Sequence, residues 1–353
     1  GDISIDNPDD PWAEDVIDLT GSCMGFFGFV DSATIKNLTL QNVGITASNY
    51  YSGILISNAT NVLIENCHVK KSSLVAAIAS SIGGLIGHLS KNSVVDSCSA
   101  EEINLQGSYV GGLATYIDSA SVVRNSHVTG LIKIMKRHSG NYGGDGGGLV
   151  QLNEGVIENC YADVELLLAG IADYAGGFVA TNSGVIRNSY AMGDVRCGEN
   201  CAGFVARNLG LIESCYSTGN VILSSTFAHY PASFASQVGL FSTYGGYVEA
   251  DMPGTCINCF GAGSCISTET GTSEYITYGF LHGLAENDSR IVNCSFNKDS
   301  VVLLPDLTMK LSGGARGYTT AYMQSQAFVD KLNTFRLLWS RIKTTWPSAS
   351  SQT

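Results

Sequence analysis

The chain has 353 residues, of which 44% are hydrophobic and only 14% are charged, and its formal net charge is −12. This acidic balance argues against nucleic-acid binding, which needs Lys and Arg clustered along one face. No apolar run approaches the ~20 residues of a membrane-spanning helix, so we also expect no membrane insertion.

Residues 1–21 are interpreted as an N-terminal lead-in or cap. The acidic run from Asp6 to Asp15 lacks the Asp-x-Asp-x-Asp-Gly spacing of a calcium loop, so a solvated linker or cap is the favoured interpretation. No signal peptide opens the chain, and its first residues read as the middle of a domain. We therefore expect it to be part of a larger multidomain chain.

Residues 22–300 contain about nine imperfect repeats, with a period of roughly 30 residues. Each repeat carries a glycine followed by a large apolar residue and, further on, an Asn or Ser at a corner. The glycine pairs are Gly25-Phe26, Gly53-Ile54, Gly84-Leu85, Gly112-Leu113, Gly148-Leu149, Gly177-Phe178, Gly203-Phe204, Gly239-Leu240 and Gly279-Phe280. The corner pairs are Asn37-Leu38, Asn66-Cys67, Ser97-Cys98, Asn125-Ser126, Asn159-Cys160, Asn188-Ser189, Ser214-Cys215, Asn258-Cys259 and Asn293-Cys294.

A period of this length without helical periodicity predicts an all-β fold, a right-handed parallel β-helix of about nine rungs. Each repeat is read as three strands, one after the glycine, one before the corner and one after it. The eighth repeat carries an insertion near Tyr247–Pro253.

Equivalent residues of successive rungs should form columns along such a coil, because neighbouring rungs lie ~4.8 Å apart. We expect the corner Asn column to face inward and to hydrogen-bond from rung to rung. We expect the Cys column that follows it to face inward as a small apolar column. The residue after each Cys should then face outward.

The remaining cysteines leave alternatives open. Cys197, Cys201, Cys256 and Cys265 lie in loops or beside the columns and are candidates for local disulfides or for free thiols. Cys256 and Cys259 form a Cys-x-x-Cys pair, but no further Cys or His has zinc spacing. We predict no metal site and no cofactor.

Residues 301–353 are predicted to be a C-terminal helical capping segment. Apolar residues recur at helical spacing at Met323, Ala327, Phe328 and Leu332, with Thr319 or Thr320 as the N-cap. Such a helix would cover the exposed strand edges at the end of the coil.

The repeats resemble the GLUG motif family, whose repeat runs approximately Gly-Gly-Leu-Val-Gly-x-Asn-x-Gly-x-Ile-x-Asn-Cys-Tyr-Ala-Thr-Gly-x-Val. The matching segments are 147–162, 176–195 and 203–221, and weaker copies extend from about residue 22 to 300. The resemblance implies a secreted or surface-anchored bacterial protein, because such repeats occur in adhesin-like proteins and beside immunoglobulin A peptidase domains. It implies no catalytic residues.

No catalytic motif is apparent in the chain. Neither a His-Glu-x-x-His motif nor a nucleophile elbow in a suitable context occurs. The acids Glu65 and Asp96 occupy one column on adjacent rungs, which is the nearest approach to a glycosidase pair. The alternative is a surface ladder of opposite charges formed by Glu65, Asp96, Arg124, Glu158, Arg187 and Glu213.

The outward column after the cysteines contains the candidate ligand-binding residues. They are His127, Tyr161, Tyr190, Tyr216 and Phe260, which would form an aromatic stripe. A stacking ladder that only stabilises the sheet is the alternative interpretation. Lys136 and Arg137 belong to the one basic cluster of the chain and are further candidates.

The sequence as a whole predicts a non-catalytic binding or adhesion module, extracellular or at the bacterial cell surface. Its partner would be a host protein, with immunoglobulin as one candidate, or a glycan. A polysaccharide-cleaving enzyme that uses outward carboxylates and a passive spacer are the two alternatives.

Overall fold

A computed structural model describes residues 3–5, 15–17, 24–47, 51–76, 80–135, 144–168, 174–197, 200–223, 235–238, 254–267, 290–299 and 315–334. Within these ranges the chain is an all-β parallel solenoid. Successive turns of the coil pair in parallel, as in the registers Tyr51↔Ser81 and His127↔Tyr161. The predicted β-helix class is therefore confirmed.

The strands form four sheets, here called sheets A to D, and each turn of the coil passes through sheets B, C, D and A in that order. Sheet B contains Tyr51–Gly53, Ser81–Gly83, Tyr109–Gly111, Asp145–Gly147, Tyr174–Gly176 and Asn200–Ala202. Sheet C contains Phe27–Asp31, Ile56–Thr60, Ile86–Ser90, Ala114–Ile117, Val150–Asn153, Val179–Asn182, Val205–Asn208 and Ala235–Val238. Sheet D contains Thr34–Lys36, Leu63–Glu65, Val94–Asp96, Val122–Arg124, Val156–Glu158, Val185–Arg187, Leu211–Glu213, Thr255–Ile257 and Ile291–Val292.

Sheet A is the widest sheet, because most turns contribute two strands or one long strand to it. Its members are Ile3–Ile5, Asp15–Ile17, Leu38–Gln41, Val43–Ala47, His68–Lys70, Ser73–Ala76, Ser99–Gly107, His127–Ile134, Tyr161–Leu168, Tyr190–Ala191, Val195–Cys197, Tyr216–Ser217, Val221–Leu223, Phe260–Gly261, Cys265–Ser267, Ser295–Asn297 and Arg316–Tyr318.

The prediction of three strands per repeat is wrong by one strand. The predicted strands correspond to sheets C, D and A, and the short strands of sheet B were missed. Each strand of sheet B is three residues long, and four of the six end in two small buried residues such as Ala175 and Gly176. A three-residue strand is too short to display the alternation by which strands are recognised in a sequence.

The repeated glycines allow the rungs to stack closely. A Cβ atom at Gly112 would overlap the backbone oxygen of Gly148, and one at Gly148 would overlap the backbone oxygen of Gly177. Only glycine fits where the backbone of one turn lies directly against that of the next. The glycine column is therefore a packing requirement of the coil.

The cysteine column faces inward, as predicted. Cys67, Cys98, Cys160, Cys215, Cys259 and Cys294 are buried, and Ser126 and Ser189 occupy the same column where cysteine is absent. The serine hydroxyls also bond the backbone, since Ser189 Oγ accepts from the Cys160 amide at 3.1 Å and donates to the Arg187 carbonyl at 2.7 Å. Both residue types therefore serve as small core residues.

The prediction that the corner asparagines face inward is wrong for most of the column, although Asn258 is buried. Asn66, Asn125, Asn159 and Asn188 are exposed, and their backbones are left-handed with φ between 48° and 54°. The rung-to-rung bonding was predicted correctly, because Asn66 Nδ2 donates to Asn37 Oδ1 at 2.7 Å. The corner asparagines therefore supply the left-handed turn and an outer ladder.

The inward asparagine column lies at a different corner, between sheets C and D. Asn153, Asn182 and Asn208 are fully buried. Asn153 Nδ2 donates to Asn182 Oδ1 at 2.8 Å, and Asn182 Nδ2 donates to Asn208 Oδ1 at 2.8 Å. This inner asparagine ladder satisfies polar groups inside an otherwise apolar core.

Helical residues near the C-terminus pack on the outer surface of sheet A. The helix Thr320–Met323 follows Thr319, whose hydroxyl accepts the Tyr322 amide, and residues 326–334 are also helical. Phe328 is 2% exposed and packs edge-on against the Phe260 ring, with the two ring centroids 5.6 Å apart. The predicted single helix is thus interrupted at 324–325, and the residues predicted in 301–314 and 335–353 lie outside the described ranges.

Candidate binding face of sheet A

Five of the predicted ligand-binding residues form a continuous stack on the outer surface of sheet A. This aromatic row consists of His127, Tyr161, Tyr190, Tyr216 and Phe260. Neighbouring rings lie 4.6, 5.2, 4.9 and 4.9 Å apart between centroids, and their planes are within 7° of parallel. The rung spacing of the sheet therefore sets the spacing of the rings.

The stack leaves ring edges rather than ring faces available to a partner. Each inner ring is covered on both faces by its neighbours, while all five side chains remain half-buried. Burial and the neighbouring Tyr190 raise the pKa of Tyr161 and of Tyr216. The phenol groups of Tyr161 and Tyr216 therefore stay neutral at physiological pH and can donate as well as accept hydrogen bonds.

The C-terminal end of the aromatic row is closed by the helical segment. Phe328 covers the last ring, Phe260. Lys331 Nζ donates to Asn293 Oδ1 at 2.9 Å and lies 5.3 Å from the centre of the Tyr318 ring. Burial lowers the pKa of Lys331. The next residue of the column, Ser295, is too small to continue the stack, and the helix fills its place.

The N-terminal end of the row joins a group of polar side chains, here called the histidine cluster. It consists of His68, Lys70, Ser99, Glu101 and His127. Ser99 Oγ lies 2.7 Å from His68 Nδ1 and donates to Glu101 Oε1 at 2.6 Å. Glu101 also pairs with Lys70 at 3.3 Å and with His127 at 3.5 Å. The Glu101 carboxylate is thus shared by three neighbours, Ser99, Lys70 and His127.

A β-bulge lies directly beside Glu101. Glu101 and Glu102 together face the single residue Thr129, because the register shifts between Ala100 and Ile103. Glu102 has a left-handed backbone with φ 52°, and its amide donates to Thr129 Oγ1 at 3.0 Å. Bulges of this kind redirect side chains and are common beside functional sites.

The other two predicted binding residues, Lys136 and Arg137, lie outside the described residues. They follow the strand His127–Ile134, whose first residue belongs to the aromatic row.

Sheet D carries the predicted ladder of charges. Lys36 pairs with Glu65 at 2.7 Å, Arg124 with Asp96 at 2.7 Å, and Arg187 with both Glu158 and Glu213 at 3.1 and 3.2 Å. Burial raises the pKa of Asp96, but hydrogen bonds from Asn125, Arg124 and Ser97 outweigh it and lower the pKa overall. Glu65 and Asp96 are register partners on adjacent strands, and each pairs with a cation, Lys36 and Arg124 respectively.

Sequence reasoning missed a second outward aromatic group, on sheets B and C. His88 stacks on Tyr116 with centroids 4.8 Å apart and meets the Tyr51 ring at the same distance. Tyr116 donates to Glu154 at 2.7 Å, and burial together with Glu154 raises its pKa. Tyr51 belongs to the missed sheet B, so its proximity to His88 was not apparent from the repeat pattern.

The cysteines of the described residues are mostly buried free thiols. Burial raises the pKa of Cys160 to about 12 and raises that of Cys256, Cys259 and Cys294 well above the ordinary value. Cys256 is therefore a free core thiol, whereas Cys201 is disulfide-bonded. Nothing is described of the side chains of Cys197 and Cys265.

Two absences hold for the part of the chain that the structure describes. No three His, Cys, Asp or Glu side chains converge there in an arrangement that could hold a metal ion. No helix there is long and apolar enough to cross a membrane.

Fold and surface together define a parallel β-solenoid with ladders of stacked side chains. No family model and no curated protein matches the chain. Among solved structures, one described as "IgA1 Protease" is similar at 17% identity and a TM-score of 0.35. The match covers 90% of this chain and 19% of that one, so this chain spans about a fifth of that protein's length. A likeness at this level supports no argument about function.

Proposed function

We propose that the chain is a non-catalytic binding and adhesion module that recognises a host protein through the aromatic row of sheet A. The observation that carries the proposal is the parallel stack of His127, Tyr161, Tyr190, Tyr216 and Phe260. Stacking immobilises the rings before any partner arrives, so binding costs little further side-chain entropy. Tyrosine is also enriched among the residues that dominate protein–protein binding.

A protein partner is better supported than a glycan. Aromatic side chains that bind sugars present a ring face to them. In the aromatic row those faces are covered at 4.6 to 5.2 Å by neighbouring rings, which leaves edges and phenol hydroxyls. Edges and hydroxyls suit a flat protein surface with hydrogen-bonding groups.

A passive spacer is the second candidate function, and the same stack favours it. A ladder in which every inner ring is covered on both faces stabilises the sheet without any ligand. The polysaccharide-cleaving alternative has less support, because the ion pairs of sheet D engage Glu65 and Asp96 separately.

Location and finer architecture belong to the same proposal. An extracellular or bacterial cell-surface location agrees with the resemblance to GLUG repeats and with the disulfide at Cys201, since disulfides persist in oxidising compartments. We take the coil to be right-handed, as such crossovers almost always are. We also take it to have about nine rungs and to end in a helical cap, supported by the packing of Phe328 on Phe260.

The test is a binding screen of the purified chain against host serum and mucosal proteins, immunoglobulins included, and against arrayed glycans. Each hit is repeated with a triple variant in which Tyr161, Tyr190 and Tyr216 become Phe. This variant keeps the stack and removes only the hydroxyls. The matched control replaces Tyr51 and Tyr116 with Phe; these two residues belong to the outward aromatic group of sheets B and C.

A saturable protein hit that the triple variant loses and the control keeps is the expected result. A hit that both variants keep would show that the phenol hydroxyls of the aromatic row do not contact the partner. The absence of any saturable hit would favour the spacer.

A further inference from the structure

We infer that a cleft at the corner between sheets C and D binds one or two units of a neutral sugar. The inference goes beyond the proposed function, because the cleft lies on sheet D, whereas the aromatic row lies on sheet A. The cleft spans three successive turns of the coil, at Thr34, Leu63 and Val94, and has a volume of about 330 Å³. Pockets that hold small molecules begin at ~300 Å³.

The cleft lies where the connection from sheet C to sheet D is long. Register pairing places the last core-facing residues of sheet C in one column and the first residues of sheet D in another. Between these columns the chain runs through residues 31–33, 60–62 and 90–93 in the three turns of the cleft. In the turns of the inner asparagine ladder it runs only through residues such as 154–155 and 183–184. The connections that border the cleft are therefore one or two residues longer.

The short connections of the later turns leave no recess. A Cβ atom at Gly184 would overlap the backbone oxygen of Gly155, so the backbones of successive corners are in direct contact there. The fourth turn also has a long connection, but Asp118 accepts hydrogen bonds from the Lys91 amide and the Ser121 hydroxyl and ties it to the third turn. Added residues in a coil often gather on its binding face.

The lining of the cleft combines an apolar floor with a polar rim. Leu63 and Val94 are register partners, and both are half-buried on the outer surface of sheet D, so their methyl groups form the floor. Thr34, Asn61 and Asn92 are exposed and form the rim. A sugar ring is divided in the same way, with C–H groups on its faces and hydroxyl groups around its edge.

The polar groups of the rim are available to sugar hydroxyls. Asn61 Nδ2 donates to Ser32 Oγ at 3.1 Å, which leaves the Asn61 carbonyl oxygen as an acceptor. Within the described part of the chain, the Thr34 hydroxyl and the Asn92 side chain make no hydrogen bond. The rim therefore offers both donors and acceptors, as recognition of a hydroxyl group requires.

Charge decides that the sugar is neutral. All the described residues that line the cleft are uncharged. On the same face of sheet D, Lys36 and Glu65 neutralise each other at 2.7 Å. A charged ligand would lose hydration in the cleft without gaining a counter-ion. A wholly apolar ligand would cover the amides of the rim without pairing them, which is also unfavourable.

The experiment is a methyl NMR titration of the whole chain with lactose, mannobiose, maltose and cellobiose. The first two sugars represent host glycans, and the last two represent glucose polymers. At least one of them should shift the methyl resonances of Leu63 and Val94 in a saturable manner. Glucuronic acid and glucosamine are the charged counterparts of glucose, and we expect each to bind several-fold more weakly than glucose itself.

A double variant tests the rim. Thr34→Val with Asn92→Gly removes two of its polar groups, and glycine tolerates the left-handed backbone of Asn92 at φ 62°. Affinity for the sugar should fall about tenfold or more. The matched control, Thr181→Val with Asn159→Gly, removes the same groups from the outer surface of sheet C and from another left-handed corner. It should bind the sugar as the wild type does.

Two results would overturn the inference. One is the absence of saturable shifts at Leu63 and Val94 with every neutral sugar of the panel. The other is an unchanged affinity in the Thr34/Asn92 variant, with the methyl spectrum otherwise that of the wild type. No protein partner is needed and every variant keeps the aromatic row, so failure here is distinguishable from failure of the proposed function.

Discussion

The inner asparagine ladder should contribute a large share of the stability of the coil. Replacing Asn182 by Ala removes the hydrogen bond that Asn182 donates to Asn208 and the one that it accepts from Asn153, both 2.8 Å long in a fully buried site. It also removes a longer bond to the Gly184 carbonyl, at 3.4 Å, whose loss adds little. Each lost bond costs about 1 kcal/mol, and each stranded partner about 1 kcal/mol more. The cost of each stranded partner is taken at this low value because neither partner loses all of its hydrogen bonds. Asn153 still donates to Gly155, and Asn208 still accepts from Gly210. The free energy of unfolding should fall by about 4 kcal/mol.

The assay is urea unfolding monitored by circular dichroism. The slope of the free energy of unfolding against urea concentration should be the same for the wild type and the variants. Asn159→Gly is the matched control from the outer ladder, because glycine tolerates the left-handed backbone at φ 54°. Asn159 is exposed and its bond to Asn125 is 3.4 Å long, so this change should cost less than about 1 kcal/mol. Equal costs for the two variants, or a negligible cost for Asn182→Ala, would refute the distinction between inner and outer ladders.

Four further predictions follow from the columns of the coil. Gly112→Ala should destabilise the coil by several kcal/mol or prevent folding, because its Cβ overlaps the backbone of Gly148, and a thermal melt measures this. Cys160→Ser should cost no more than ~1 kcal/mol in urea unfolding, because Ser189 already fills the same column and bonds the backbone. The native Cys160 thiol, with a pKa of about 12, should resist alkylation at mildly alkaline pH until the chain is unfolded, as mass spectrometry would show. The lowered pKa of Asp96 stabilises the folded chain above the ordinary carboxylate pKa, so stability should fall in acid and Asp96→Asn should weaken that dependence, measured by unfolding across pH.

The sequence alone predicts which residues share a column of this coil, because equivalent positions of successive repeats lie above one another. Once Cys67 and Val69 face inward, alternation places the residue between them outward, and the aromatic row follows from that single assignment. The same rule contradicts an inward Asn66, which directly precedes Cys67. The alternation needed to avoid that error was present in the sequence.

The same rule predicts most of the histidine cluster, because His68, Ser99 and His127 occupy one outward column and alternation places Glu101 on the face of Ser99. The β-bulge at Glu102 could not be predicted, because no local signal marks the extra residue. The packing of Phe328 on Phe260 was equally hidden, because it joins segments far apart in the chain.

The most direct test of the proposed binding face is hydroxyl-radical footprinting of the chain with and without the partner that the screen identifies. Tyr161, Tyr190 and Tyr216 carry exposed ring edges, so the account predicts that their modification falls when the partner binds. Tyr51 and Tyr116 should react equally in both states. Protection of Tyr51 and Tyr116 with an unchanged aromatic row would contradict the account.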